Sequence, residues 1–99
     1  MKSKIVEQII LDVEVDEYGL QILTELELDL ENDRVVNYEV WITTEKACAR
    51  FFKFGSSDYK STGSIEQDKK EIMDLVMANY EEDNIGFDDI IEYLEEDDD

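Results

Sequence analysis

Among the reactive side chains of this protein, carboxylates recur at alternate positions along one segment. In the segment 20–31, Glu25, Glu27, Asp29 and Glu31 alternate with leucines. Side chains two residues apart on a strand lie on one face, about 6.8 Å from each other. Carboxylates in such a row can bind hard cations, exchange protons or present negative charge to a partner. The rest of the sequence decides between these three uses.

Catalysis has little support, because the chain contains no histidine and a single cysteine, Cys48. Ser–His and Cys–His nucleophiles and histidine metal ligands are therefore excluded within this chain, and we expect Cys48 to be a small buried residue. Acid–base catalysis by paired carboxylates needs one of them in an apolar pocket that raises its pKa, whereas alternating carboxylates are expected to face solvent. We therefore expect neither an enzyme nor a cofactor.

A calcium-binding loop is suggested by the motif Asp12-x-Glu14-x-Asp16, which resembles the first ligands of such a loop. The sixth position must then be glycine and the twelfth glutamate, but they are Glu17 and Leu23. A strand that runs into a turn explains the segment better. We therefore expect no metal site.

The acidic residues are concentrated towards the two ends of the chain, whose net charge is −19. Ten acidic residues and no basic one lie in 5–33, eleven and none in 81–99, and 34–80 is neutral. Solubility alone needs only about 2 to 8 charges in a small domain. Direct nucleic-acid binding is disfavoured, because phosphates must meet Lys and Arg. A folded acidic surface can instead occupy the basic groove of a nucleic-acid-binding protein.

Alternating apolar residues predict strands over 4–15, 20–31 and 35–43, with the second strand in the centre of an antiparallel meander. In the first hairpin the two core faces coincide only if paired residue numbers have an odd sum. A sum of 37 would place Asp12 opposite Glu25, and directly opposed like charges are unfavourable. We therefore expect a sum of 35, with Glu17-Tyr18 as the loop and a positive φ at Gly19.

The second hairpin needs an even sum, and hence an odd-length loop such as Asn32-Asp33-Arg34. This register places Leu23 opposite or diagonal to Trp41 on the outer face, as an apolar spot among carboxylates. Tryptophan is favoured at interface hot spots, so Trp41 is either an outward anchor or a core residue beneath a helix that covers this face. Tyr18, at the turn, is a second candidate for an exposed aromatic residue.

The segment 44–55 allows two interpretations: a helix that ends before Gly55, which we favour, or a fourth strand. The capping box Ser64-Ile-Glu-Gln67 predicts a helix over 65–81, and a break at 83–86 precedes a last helix. The expected core is apolar throughout: Ile9, Leu11, Val13, Ile22, Leu26, Leu28, Val36, Tyr38, Val40, Ile65, Ile72, Met73, Val76, Tyr80, Phe87, Ile90, Ile91 and Leu94.

These elements predict an α+β fold, in which a three-stranded antiparallel meander, or a four-stranded one, is followed by two or three helices packed on one face. We expect a single domain over 1–96 and a frayed acidic tail at 97–99. The sequence has no apolar segment of the length that a signal peptide or a membrane span needs. The lone cysteine suits a reducing compartment, so a cytoplasmic location is expected.

In size, acidity and coarse layout the chain resembles small phage-encoded anti-CRISPR and anti-restriction proteins that act as DNA mimics. This resemblance rests on no motif and carries over no functional residue. The function that we favour is a non-enzymatic binding module that docks on a basic, nucleic-acid-binding protein and inhibits it.

The alternative function is that of a small structural or assembly protein, such as a homodimer through the outer sheet face or an edge strand, whose acidity serves solubility. For the binding module, the expected contact residues combine the apolar spot with the carboxylates of the second strand and of the C-terminal region: Leu23, Trp41, Glu25, Glu27, Asp29, Glu81, Glu82, Asp83, Asp88, Asp89 and Glu92.

Overall fold

A computed structural model describes residues 4–44 and 50–96 of the chain. It has an α+β fold, in which one antiparallel sheet of strand order β1-β2-β3-β4 is followed by two helices. The meander order and the inner position of the second strand are confirmed. Cys48 and the expected tail at 97–99 lie outside the described residues. The strands are Lys4–Val15 (β1), Tyr18–Asp29 (β2), Arg34–Thr44 (β3) and Arg50–Ser56 (β4), and the helices are Ile65–Glu81 (α1) and Asp88–Glu96 (α2).

The turn between β1 and β2 consists of Asp16 and Glu17, whose φ angles are 49° and 72°. Two positive φ angles are typical of the type I′ turn, whose twist suits a two-residue hairpin. Val15 therefore pairs with Tyr18, and paired residue numbers sum to 33 instead of the expected 35. The predicted Glu17-Tyr18 loop is wrong, because Tyr18 packs against the core as a strand residue, and Gly19 does not have the positive φ.

The observed register also keeps Asp12 away from an opposed carboxylate. Asp12 lies opposite Gln21 and not opposite Glu25. The Gln21 amide donates a hydrogen bond of 3.0 Å to the Asp12 carboxylate. An amide in place of a second carboxylate removes the repulsion between directly opposed like charges.

The β2–β3 hairpin has the expected even sum near Trp41, which lies directly opposite Leu23. The register then shifts by one residue, so that Leu28 pairs with Val35. The loop 30–33 has four residues, and the bulge restores the match of faces that an odd-length loop would have given. Val35, with no exposed surface, therefore takes the core position that was expected for Val36, and the predicted three-residue loop is wrong.

The helix that we favoured over 44–55 is wrong, because β3 continues to Thr44 and β4 begins at Arg50. The fourth strand, the other interpretation, is the one observed. A run of aromatic residues suits a pleated, half-buried surface better than a helix. Gly55 does not end a helix: it lies where β4 passes close to β3, and a Cβ atom there would be 2.6 Å from the carbonyl oxygen of Tyr38.

A bulge at Lys53 sorts the aromatic residues of β4 between the two faces of the sheet. Phe54 pairs with Val40, whereas Phe52 pairs with the next residue, Trp41. One extra residue in the strand moves the following side chains to the other face. Phe51 and Phe54 consequently pack against the core, and Phe52 points away from it.

The helices lie on one face of the sheet. α1 has the predicted bounds, and its N-cap Ser64 accepts a hydrogen bond from the backbone N–H of Gln67. No helix of the described residues is long and apolar enough to cross a bilayer. The buried core draws on β2, β3 and the helical region: Leu20, Ile22, Leu26, Leu28, Val35, Tyr38, Val40, Ile42, Ile72, Val76, Ile85, Phe87, Ile90, Ile91 and Leu94. Four apolar residues of the edge strand β1 are only partly buried against it: Ile9, Leu11, Val13 and Val15.

One core residue of β2 is polar. Thr24 has no exposed surface, and within the described residues its Oγ1 atom has no hydrogen-bond partner. An unpaired buried polar group costs about 1 to 3 kcal/mol. The hydroxyl therefore reduces the stability of the sheet at its centre.

The nearly isosteric change Thr24→Val is expected to raise the free energy of unfolding by about 1 kcal/mol, because it removes the unpaired hydroxyl. Urea unfolding followed by circular dichroism measures this change. The matched control is Thr43→Val, which removes a hydroxyl that donates to Gln21 and should not stabilise. A Thr24→Val protein less stable than the parent would show that the hydroxyl is satisfied.

Candidate functional site

The sheet face opposite the helices, here called the outer face, has no described helix over it. Four apolar residues, one from each strand, lie opposite one another across this face and form the apolar row: Ile10, Leu23, Trp41 and Phe52. Ile10 and Phe52 are 56% and 54% exposed, whereas Leu23 is buried by its neighbours. Of the two alternatives for Trp41, the structure has the outward position.

Trp41 is held in place by three neighbours on the outer face. The Phe52 ring packs edge-on against it at 5.3 Å between centroids, and the Arg50 guanidinium lies 4.7 Å from the centre of the indole. The indole Nε1 donates a hydrogen bond of 3.2 Å to Glu39. Edge-to-face and cation–π contacts both stabilise one ring orientation. Trp41 is therefore fixed, and little of its freedom remains to be lost on binding.

Glu25 lies directly opposite Glu39 in the β2–β3 ladder, a pairing that is unfavourable between like charges. Arg50 compensates it, because its guanidinium donates a hydrogen bond of 2.6 Å to Glu25. Gln8 donates a second, of 3.0 Å. The Gln8 hydrogen bond, together with Arg50, holds the pKa of Glu25 below its usual value despite the opposing effect of burial. Glu25 therefore stays ionised at neutral pH.

The next two carboxylates of β2 differ in what they contact. Glu27 accepts a hydrogen bond from the Asn37 amide on the outer face. Asp29 is 6% exposed and accepts hydrogen bonds from the Asn32 amide at 2.8 Å and from Arg34 at 3.3 Å. The Asn32 hydrogen bond is the main cause of the lowered pKa of Asp29. Both were expected to contact a partner. Glu27 lies on the outer face, whereas Asp29 stabilises the turn between β2 and β3.

Acidic side chains flank the apolar row on both sides. Asp12 and Glu14, both exposed, lie two and four residues after Ile10 in β1, on the side of the row nearer the β1–β2 turn. Glu25, Glu39 and then Glu27 lie beyond the row in the opposite direction. The outer face thus has an apolar centre and an acidic margin.

The C-terminal carboxylates lie elsewhere. All six that were expected to contact a partner are exposed, at the end of α1, in the following break and in α2. Because the helices cover the inner face of the sheet, these carboxylates do not share a surface with Glu25 and Glu27. The sequence-based prediction had combined the carboxylates of β2 with those of the C-terminal region on the basis of charge alone. Tyr18, the second aromatic candidate, packs against the core.

Sequence reasoning missed Arg50 and Phe52 as parts of this site, because the favoured helix over 44–55 removed both from the sheet. The alternation that places Trp41 on the outer face also places Glu39 there, but Glu39 was not among the predicted contact residues. One signal was available: any even sum close to the observed one brings Glu39 near Glu25, and two adjacent carboxylates require a cation. Arg50 is the cation that the structure supplies.

Three carboxylates of the outer face, those of Glu25, Glu27 and Glu39, accept hydrogen bonds from neighbouring side chains. Among the described residues, no three His, Cys, Asp or Glu side chains are arranged to hold a metal ion. Among the described residues, the surroundings of Glu25, Asp29 and Asp68 hold the pKa of each carboxyl below its usual value, which is opposite to the shift that a general acid needs. Comparison with protein-family models, curated proteins and solved structures finds no match to this chain. The function is therefore inferred from the geometry of the outer face.

Proposed function

We propose that this protein is a non-enzymatic binding module that docks on a basic, nucleic-acid-binding protein through its outer face and inhibits it. One observation carries the proposal: a fixed tryptophan lies in an apolar row, between two groups of carboxylates, on a sheet face that no described helix covers. An apolar centre with a polar rim is the usual anatomy of a protein interface. A tryptophan fixed before binding is a typical anchor.

The sign of the charge on the outer face supports a basic partner. Five acidic residues surround the apolar row, and Arg50 is already paired with one of them. Two copies docked face to face would bring these carboxylates together, which costs free energy. A surface rich in Lys and Arg gains free energy from the same carboxylates. A different, basic protein therefore suits the outer face better than a second copy does.

Inhibition would follow from competition for the same basic groove. Duplex DNA carries one charge per about 1.7 Å of helix axis, which is denser than the carboxylates of this face. Charge alone therefore gives the protein no advantage over DNA. The apolar row supplies what DNA lacks, because burying apolar surface adds about 25 cal/mol per Å². We infer that the module and the nucleic acid exclude each other from the partner.

The partner is to be captured from a lysate of the native host with the tagged protein, identified by mass spectrometry and purified. Two variants with equal charge changes then locate the contact. Glu27→Gln with Glu39→Gln alters the outer face, and Glu81→Gln with Glu92→Gln alters the helical side. The outer-face pair is expected to weaken binding by roughly tenfold or more, because contact charges act at short range, and the helical pair to change it little.

Nucleic acid should displace the module from this partner. Affinity should also fall between about 0.1 M and 1 M salt, where the Debye length shrinks from about 10 Å to about 3 Å. Equal losses in the two charge variants would contradict a local contact at the outer face. A larger loss in the helical pair would place the contact at the C-terminal carboxylates.

A further inference from the structure

β1 is an edge strand of twelve residues, Lys4–Val15, and within the described residues it pairs with β2 alone. Alternate residues of an antiparallel strand direct their N–H and C=O groups away from the neighbouring strand. The pairing with β2 runs without a register shift, so this row of backbone groups is uninterrupted. Ile5, Val6 and Ile10 are 48%, 64% and 56% exposed. A long, unbulged edge with exposed apolar side chains is a place where another strand can pair.

The opposite edge of the sheet is short and bulged. β4 has seven residues and carries the bulge at Lys53. The Lys53 ammonium donates a hydrogen bond of 2.8 Å to the carbonyl of Gly86, which ties the bulged strand to the segment before α2. Short and bulged edge strands resist pairing with other chains. Of the two sheet edges that the described residues form, the β1 edge is therefore the one open to strand addition.

We propose that the β1 strands of two copies pair antiparallel about a two-fold axis and form a continuous eight-stranded sheet. The proposal does not depend on the outer face binding a partner. A second copy is the occupant because β1 is complementary to itself when paired residue numbers sum to 16. Val6 then lies opposite Ile10 of the second copy, Ile5 opposite Leu11, and Glu7 opposite Ile9. No like charges are opposed, and the even sum keeps both core faces on one side.

Neighbouring registers are poorer. A sum of 18 would place the exposed Val6 opposite Asp12, and a sum of 20 would place it opposite Glu14. In either register Val6 loses its apolar neighbour. The sum of 16 is the one that covers Val6 and Ile10 with each other, and by symmetry it does so twice.

Two-fold pairing also closes the assembly. It uses both β1 edges and leaves the two β4 edges, which are short and bulged, so the product is a dimer and not a fibre. Each copy carries a net charge of −19, and this repulsion opposes association at low salt. Added salt screens it. Dimerisation should therefore strengthen with salt, whereas docking of the outer face on a basic protein should weaken.

Sedimentation equilibrium from low to high micromolar concentration tests the dimer, with two variants that test the register. In the proposed dimer, Val6→Lys with Ile10→Lys creates two pairs of directly opposed lysines. Val6→Glu with Ile10→Glu creates two pairs of directly opposed glutamates. Each variant alone is expected to be monomeric. Their equimolar mixture is expected to dimerise, because each lysine then faces a glutamate. Thermal melts followed by circular dichroism establish that both variants fold, as the exposure of Val6 and Ile10 predicts.

The matched control is Leu30→Lys with Leu75→Lys, which replaces two exposed apolar residues away from the β1 edge and makes the same change in charge. It is expected to dimerise like the parent. A parent that is monomeric at every protein and salt concentration overturns the proposal. Dimerisation of the double-lysine variant alone, or of the double-glutamate variant alone, overturns it as well. A mixture that remains monomeric overturns the register. None of these outcomes contradicts the proposed docking on a basic protein, because a monomer carries the complete outer face.

Discussion

Asp68→Ala is expected to lower the free energy of unfolding by about 3 kcal/mol at neutral pH. Asp68 has no exposed surface, and its carboxylate accepts hydrogen bonds from the backbone N–H of Val35 at 2.9 Å and of Thr62 at 2.7 Å. The hydroxyls of Ser61 and Thr62 donate to it as well. Asp68 thereby joins the first turn of α1 to β3 and to the loop before the helix. Its removal leaves the buried Val35 N–H without a partner, which costs most of this free energy.

The effect should depend on pH with a definite sign. Burial raises the pKa of Asp68. The hydrogen bonds from Ser61, Thr62 and Val35 together lower this pKa by more than burial raises it, so the net shift is downward. A carboxyl whose pKa is lower in the folded state stabilises above its unfolded pKa and loses this contribution as the pH falls through the folded pKa. The difference between parent and Asp68→Ala should therefore be largest near pH 7 and shrink below about pH 4.

Urea unfolding of both proteins across this pH range measures that difference. Asp74→Ala is the matched control, because Asp74 lies in the same helix and is exposed, and it should change stability by less than about 0.5 kcal/mol. A difference that is small at pH 7, or that does not change with pH, would show that the Asp68 hydrogen bonds do not hold the loop and α1 to the sheet.

The sequence predicted the elements that depend on local pattern. The alternation in 20–31 identified β2 and its core face, and the capping box at Ser64 placed α1 with the bounds that the structure has. Both signals lie within the element itself, in side-chain period and end chemistry. In the first hairpin, each residue of β1 pairs two positions away from its predicted partner. The register depends on whether Tyr18 belongs to the turn or to the strand.

The bulges could not be predicted, and they changed the core and the site. A bulge inserts one residue and reverses the faces beyond it, so alternation alone assigned the core position to Val36 instead of Val35. The bulge at Lys53 breaks the alternation of β4 and left the helix as the favoured interpretation. The role of Asp68 was hidden for another reason: its partners come from β3 and from the loop, and no local pattern shows that they meet.

Trp41→Ala is expected to weaken binding of the captured partner by about 2 to 4 kcal/mol, the range of interface hot spots. Such a loss is roughly 30-fold to 1,000-fold in the dissociation constant. The indole is the largest side chain of the apolar row, and Phe52, Arg50 and Glu39 fix it before binding. Trp41→Phe keeps an aromatic ring beside Phe52 but removes the N–H that Glu39 accepts, so an intermediate loss is expected.

Tyr93→Ala supplies a matched control on the helical side. Tyr93 is 40% exposed, and its ring packs against Phe51 at 5.4 Å, much as Trp41 packs against Phe52. Both substitutions thus remove a partly exposed aromatic side chain in edge contact with a phenylalanine of β4. They differ in the face of the sheet on which the ring lies.

The most direct measurement is calorimetric titration of the purified partner with the parent, Trp41→Ala and Tyr93→Ala proteins, at a temperature where all three are folded. Docking through the outer face predicts that Trp41→Ala loses most of the affinity and that Tyr93→Ala binds like the parent. Equal affinities of the parent and Trp41→Ala proteins, or a larger loss in Tyr93→Ala, would contradict the outer face as the docking surface.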